Sequence, residues 1–123
     1  MTVRSSKRAS RLPPLELELR LRLRRGDEVA MGPGKAELLT GIETTGSISA
    51  AARAMGMSYM RAWSLVKTMN GCFPGPLVET SRGGRLGGVA RVTPLGRQVL
   101  KVYHRAVAAA ERAGRSTLLK SRH

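Results

Sequence analysis

The residues best placed to do chemistry sit on one short segment, Tyr59 to Asn70. At 100° per residue, Met60, Ser64 and Lys67 fall on one side of it, flanked by Arg61 and Thr68. Ala62, Val66 and Met69 fall on the other, with Tyr59 and Asn70 near the edge and Trp63 at the boundary as a packing residue. The outward set carries positive charge, a hydroxyl and a methyl-bearing side chain. These groups read base edges in a DNA groove: Arg pairs with guanine, Ser with several bases, and a methyl group meets thymine. The plain alternative is a solvated helix face.

Three further groups extend the same chemistry. Ser47 and Ser49 open a helix whose free amides suit a phosphate, although Ser47 also reads as a simple cap. Ser58 caps the segment carrying Met60 and Arg61. Arg82 and Arg85 lie in the run 81–88, in which Gly83, Gly84, Gly87 and Gly88 would let a basic loop approach a duplex closely, and Arg91 follows. The glycines do not make a nucleotide-binding loop, because GxxxxGK[ST] is absent and no GxGxxG follows a strand and opens a helix. Catalysis has little support, so no enzyme, cofactor or metal is expected. His104 and His123 are the two histidines and belong to no cluster, while the lone Cys72 has no partner base and reads as packing. That single cysteine also excludes a disulfide scaffold.

The elements that position these residues follow from pattern. Gly32-Pro33-Gly34 breaks the chain, and Lys35 to about Thr44 reads as a helix with Leu38, Leu39 and Ile42 inward. Ser47–Met55 is an Ala-rich second helix, Gly56 a left-handed turn, and Ser58 the cap of a third helix running to about Asn70. Leu77–Thr80 and Val89–Val92 read as short strands. Thr93 and Pro94 start a long final helix ended by Gly114. At the N-terminal end, Leu15 to Leu23 alternates leucine with charge, which predicts a half-buried strand. Arg25-Gly26-Asp27 reads as a three-residue turn setting Leu23 opposite Val29 and Leu21 opposite Met31. Its match to an integrin-binding tripeptide is taken as chance.

The expected fold is mainly α with small β: a winged helix-turn-helix with an N-terminal β-hairpin and a long C-terminal helix. The expected organisation is a basic disordered tail (1–12), the hairpin (13–32), the winged helix-turn-helix (33–93), a dimerisation helix (94–113) and a second basic tail (114–123).

A chain of 123 residues with 22 Lys and Arg against 8 Asp and Glu, net charge +14, favours a polyanionic partner. No apolar run is long enough for a membrane span and no hydrophobic segment follows the basic start, so a cytoplasmic protein without a membrane partner is expected. Double-stranded DNA is the expected partner, bound by a homodimer. The dimer contact is expected on the last helix, along Leu95, Val99, Val102, Tyr103, Ala106 and Ala110. The first strand offers another: run antiparallel to its own copy about Leu19, Glu16 meets Arg22 and Glu18 meets Arg20. Its plain alternative is an edge strand whose charges prevent aggregation.

Residues of about 33–112 resemble the N-terminal domain of the ModE family, the molybdate-responsive transcriptional regulators. The likeness rests on Thr45-Gly46-Ser47-Ile48-Ser49, Gly56-Met57-Ser58-Tyr59, Ala62-Trp63, Met69-Asn70, Leu77-Val78-Glu79, the glycine-rich 83–88 run and Leu95-Gly96. The first helical part is also similar to the LysR-type domain. The resemblance implies a dimeric winged helix acting on operons. Full-length members carry C-terminal molybdate-binding domains, for which a chain ending at His123 has no room, so oxyanion sensing is not expected to carry over. A stand-alone domain would sense nothing or take its signal from a separate effector or partner protein. The expected function is therefore a DNA-binding transcriptional regulator. The alternatives are a non-specific, chromosome-associated nucleic-acid binder and an interaction module that has lost DNA binding.

Overall fold

The computed structural model describes residues 11–81 and 89–119. It is mainly helical, with two small antiparallel sheets. In chain order the elements are β1 (Leu23–Arg25), β2 (Glu28–Met31), α1 (Pro33–Thr45), α2 (Ile48–Ala54), α3 (Tyr59–Gly71), β3 (Val78–Ser81), β4 (Val89–Val92) and α4 (Pro94–Gly114), with a π-helical turn at Arg115–Leu119.

Local chemistry sets most of these limits. Ser47 Oγ accepts from the amide of Ala50, Ser58 Oγ from that of Arg61, and Thr93 Oγ1 from that of Gly96, so α2, α3 and α4 each begin on a hydroxyl cap. Gly46 ends α1 at φ 73°, and Gly56 makes the turn before α3 at φ 69°, a region that L side chains rarely adopt. Gly41 of α1 lies where a Cβ would come 3.0 Å from that of Ala51, so small residues let α1 and α2 approach closely.

The core sits between α1, α2, α3 and the β3–β4 pair. Leu38, Leu39 and Ile42 of α1 and Ala62, Val66 and Met69 of α3 are completely buried, as their spacing predicts. Asn70 joins α3 to the sheet. Its Oδ1 accepts from the amides of Leu77 (2.8 Å) and Val78 (3.1 Å), and its Nδ2 donates to the Val78 carbonyl. Arg25 Nε donates to the Cys72 carbonyl at the end of α3, tying the β1–β2 turn to the same helix.

Three expectations need correction. The leucine alternation does not form a long strand: regular pairing is confined to Leu23–Arg25, and Leu15 is 79% exposed. The β1–β2 register also differs, since Arg24 faces Val29 and Leu23 faces Met31 across a two-residue turn. Gly26, at φ 61°, supplies the tight turn, and a bulge between Leu23 and Arg24 removes the clash of faces that a two-residue loop would otherwise cause. Gly114 is the last residue of α4, and the chain passes through Arg115 in right-handed geometry into the π turn. Its missing side chain leaves room for Leu17, whose Cδ2 lies 2.6 Å from where a Cβ would stand. Pro33 and Gly34, read as a break, form the first turn of α1, where a proline without an amide proton is tolerated.

Candidate anion-binding site

α3 turns three faces to its surroundings. Ala62, Val66 and Met69 lie inside, and Met60 (76% exposed), Ser64 and Lys67 point outward. Tyr59 shares a cleft with Trp63, Ile48, Thr80, Ser81, Val89 and Ala90, between α3 and the β3–β4 pair. Of the other residues expected to contact a ligand, Ser47 and Ser58 are occupied as caps and Ser49 is exposed. Arg91 is exposed and donates to Glu79 at 2.6 Å across the β3–β4 pair, so part of its charge is already matched. Arg82 and Arg85 lie outside the described residues.

Arg61 leads to a place that sequence reasoning missed. It lines a recess of about 310 Å³ with Arg20, Arg22, Lys35, Met57 and Leu65, beside the start of α1. Arg20 is paired with Glu18 at 3.2 Å, whereas Arg22, Lys35 and Arg61 form no ion pair among the described residues. Burial holds the Lys35 ammonium below its ordinary value. Cys72 and Glu28 nearby act to raise it, and the charges of Arg22 and Arg61 push it down further.

Lys35 is also badly placed with respect to its own helix. It lies in the first turn of α1, where the macrodipole is positive and acids are the usual occupants, and that turn contains no acid. Gly32 provides no side-chain cap. The recess therefore collects three unpaired cations and a helix end that lacks a side-chain acceptor. Every one of these groups offers a hydrogen-bond donor, as an anion requires. The sequence signal that could have found it is a lysine, with no aspartate or glutamate, directly after Gly-Pro-Gly.

One residue of the dimer contact expected on α4 needs correction. Tyr103 is 3% exposed and belongs to the chain's own core, with its hydroxyl donating to the Leu21 carbonyl at 2.8 Å. Leu95 and Val99 are partly buried against the same core, while Val102 and Ala106 are exposed and Ala110 is half-buried. An amphipathic helix shows its apolar face without showing what covers it, and for Tyr103 the cover is the chain's own core.

Comparison with known proteins now bears on the site. No family model matches the chain. The Molybdenum-pterin-binding protein MopB of Rhodobacter capsulatus is 45% identical over 73 residues, 59% of this chain and 27% of that protein. MopA of the same organism is 44% identical over 80 residues, 65% of this chain and 30% of its own length. The DNA-binding transcriptional dual regulator ModE of Escherichia coli (strain K12) is 34% identical over 89 residues, 72% of this chain and 34% of the regulator. The chain is related to these Mop and ModE proteins. The matches span about a third or less of each relative.

These findings correct the expected function. Two relatives at 45% and 44% identity are named for binding molybdenum-pterin, and that displaces DNA-binding transcriptional regulation as the function assigned to this chain. The non-specific nucleic-acid alternative is displaced with it. Among the described residues, no helix is long and apolar enough to cross a membrane.

Proposed function

We propose that this chain is an anion-binding unit of a molybdenum-linked protein, and that the recess between α1 and α3 takes the anion. One observation carries the reading: Lys35 stands at the positive end of a helix beside Arg22 and Arg61, a repulsive cluster that a bound anion would relieve. The names of the Mop relatives supply the class of anion. The donor set fits an oxyanion better than a bare metal ion, because guanidinium and ammonium groups donate hydrogen bonds and offer no lone pair. A molybdenum oxyanion would bring negative charge and acceptor oxygens. Arg22 and Arg61 would clamp it, and Lys35 would hold its proton more firmly once the anion was bound.

In finer detail, α2, the Gly56 turn, α3 and the β3–β4 pair read as a winged helix-turn-helix spanning 33–93, preceded by the 13–32 segment and followed by α4. Met60, Ser64 and Lys67 then extend the cationic face outward from the recess.

Equilibrium dialysis against molybdate, with sulfate as the control oxyanion, tests the proposal. Saturable uptake near one molybdate per chain is expected. Lys35→Ala and Arg61→Ala should each weaken it by about tenfold or more, the loss of one charge-assisted hydrogen bond. A chain that leaves molybdate free and instead takes duplex DNA in preference to random competitor would overturn the proposal.

A further inference from the structure

We infer that residues 13–22 form an anion-gated arm. An oxyanion in the recess clamps this segment onto α1 and α4, and its departure releases the segment and uncovers the groove beneath. This regulation rests on the anion reading of the recess proposed above.

Little else holds the arm. Residues 13–22 take part in no strand ladder and in no backbone–backbone hydrogen bond among the described residues. None of them is buried, and the core begins only at Ala30. The Leu21 carbonyl accepts from the Tyr103 hydroxyl at 2.8 Å. Leu17, Leu19 and Leu21 rest half-buried on the body of the protein: Leu17 against Gly114, Leu19 beside Tyr103 and Val107, and Leu21 against the core. Three half-covered leucines and one hydrogen bond must offset the backbone entropy lost at every residue of the arm.

Charge on the other edge of the arm opposes docking. Arg20 and Arg22 line the recess together with Lys35 and Arg61 of the body. Arg22 lies close over the start of α1, its Cγ 3.5 Å from where a Cβ on Gly32 would stand. Arg20 is matched by Glu18 at 3.2 Å, but Arg22 has no acid within ion-pair reach among the described residues. Burial depresses the Lys35 ammonium, and the Arg22 guanidinium depresses it further. Arm and body therefore repel each other where they meet. An anion reverses the sign, because Arg22 from the arm and Lys35 and Arg61 from the body then donate to the same acceptor oxygens.

The coupling is reciprocal. An anion favours the docked arm only by the affinity that the arm adds to the site, so both effects are one factor. A single charge-assisted hydrogen bond from Arg22 sets it at about tenfold or more. Release of the arm bares Pro33, Ala36, Tyr103 and Val107, which with Leu19 line one groove between α1 and α4.

Limited proteolysis of the full chain by chymotrypsin, which cuts after leucine and not after the recess cations, tests the inference. Cleavage after Leu17 and Leu19, mapped by mass spectrometry, reports the population of released arm. Saturating molybdate should slow it about tenfold or more, while a free peptide of residues 11–24 is cut at one rate with and without molybdate. Arg22→Ala should lose most of the slowing, even at molybdate concentrations that saturate it in dialysis. Leu17→Ser with Leu19→Ser, outside both the recess and the core, should weaken molybdate uptake by up to about tenfold, because the arm then presents Arg22 less often. Unchanged cleavage under saturating molybdate, or wild-type uptake by the Leu17/Leu19 variant, would overturn the inference and leave the anion site standing. A chain that takes up no molybdate removes the proposed function and the gate together.

Discussion

Two leucine-rich stretches of this chain have opposite fates. In α1, Leu38 and Leu39 are wholly buried. In the segment before β1 the leucines alternate more regularly, yet Leu15 stays largely in water and no ladder forms. Regularity of pattern is therefore not what decides burial. A helix satisfies its own backbone and needs only an apolar neighbour, which α2, α3 and the β3–β4 pair supply within the same chain. A strand needs a partner for its peptide groups as well as for its side chains, and for residues 15–22 this fold supplies only the side-chain half.

Substitutions in the two regions should separate accordingly. Leu38→Ala, at a site with no exposed surface, should cost about 2–5 kcal/mol of unfolding free energy and shift the denaturation midpoint at any protein concentration. Asn70→Ala removes three hydrogen bonds to the backbone at Leu77 and Val78 and should cost about 1–3 kcal/mol by urea denaturation. Tyr103→Phe cuts the hydrogen bond from α4 to the Leu21 carbonyl and should cost about 1 kcal/mol. Leu15→Ser should lie within about 0.5 kcal/mol of wild type in dilute solution, because the side chain is already exposed. A large effect of Leu15→Ser in dilute monomer would remove the contrast between the regions.

The Tyr103 contact also has a pH signature. Burial holds the phenol above its ordinary value of 10.0, so the folded state keeps the proton at pH values where the unfolded state has lost it. The corresponding stability is fully present below pH 10 and is lost as pH rises through the folded value. Unfolding curves of wild type and Tyr103→Phe should therefore converge on the alkaline side.

What could be read from the sequence follows the same division. The positions of α1, α2 and α3, their caps at Ser47 and Ser58 and their buried faces were legible because each depends on neighbours within a few residues or on helical period alone. The β1–β2 register was not, because a bulge at Leu23/Arg24 reconciled a tight turn with the leucine face, and single bulges leave no period. Tyr103 was misassigned because an apolar stripe does not name its partner. The recess escaped because Arg22, Lys35 and Arg61 come from three separate segments, the residue before β1, the start of α1 and the start of α3. Only the odd placement of Lys35 at a helix start hinted at it.

The central claim is that this recess takes an anion, and residue-resolved NMR during a molybdate titration tests it most directly. The account predicts saturable shifts concentrated at the amides of Arg22, Gly32, Gly34, Lys35 and Arg61, with sulfate producing smaller ones. No saturable shift at these amides, or shifts confined to Met60, Ser64 and Lys67 on the outer face of α3, would contradict it.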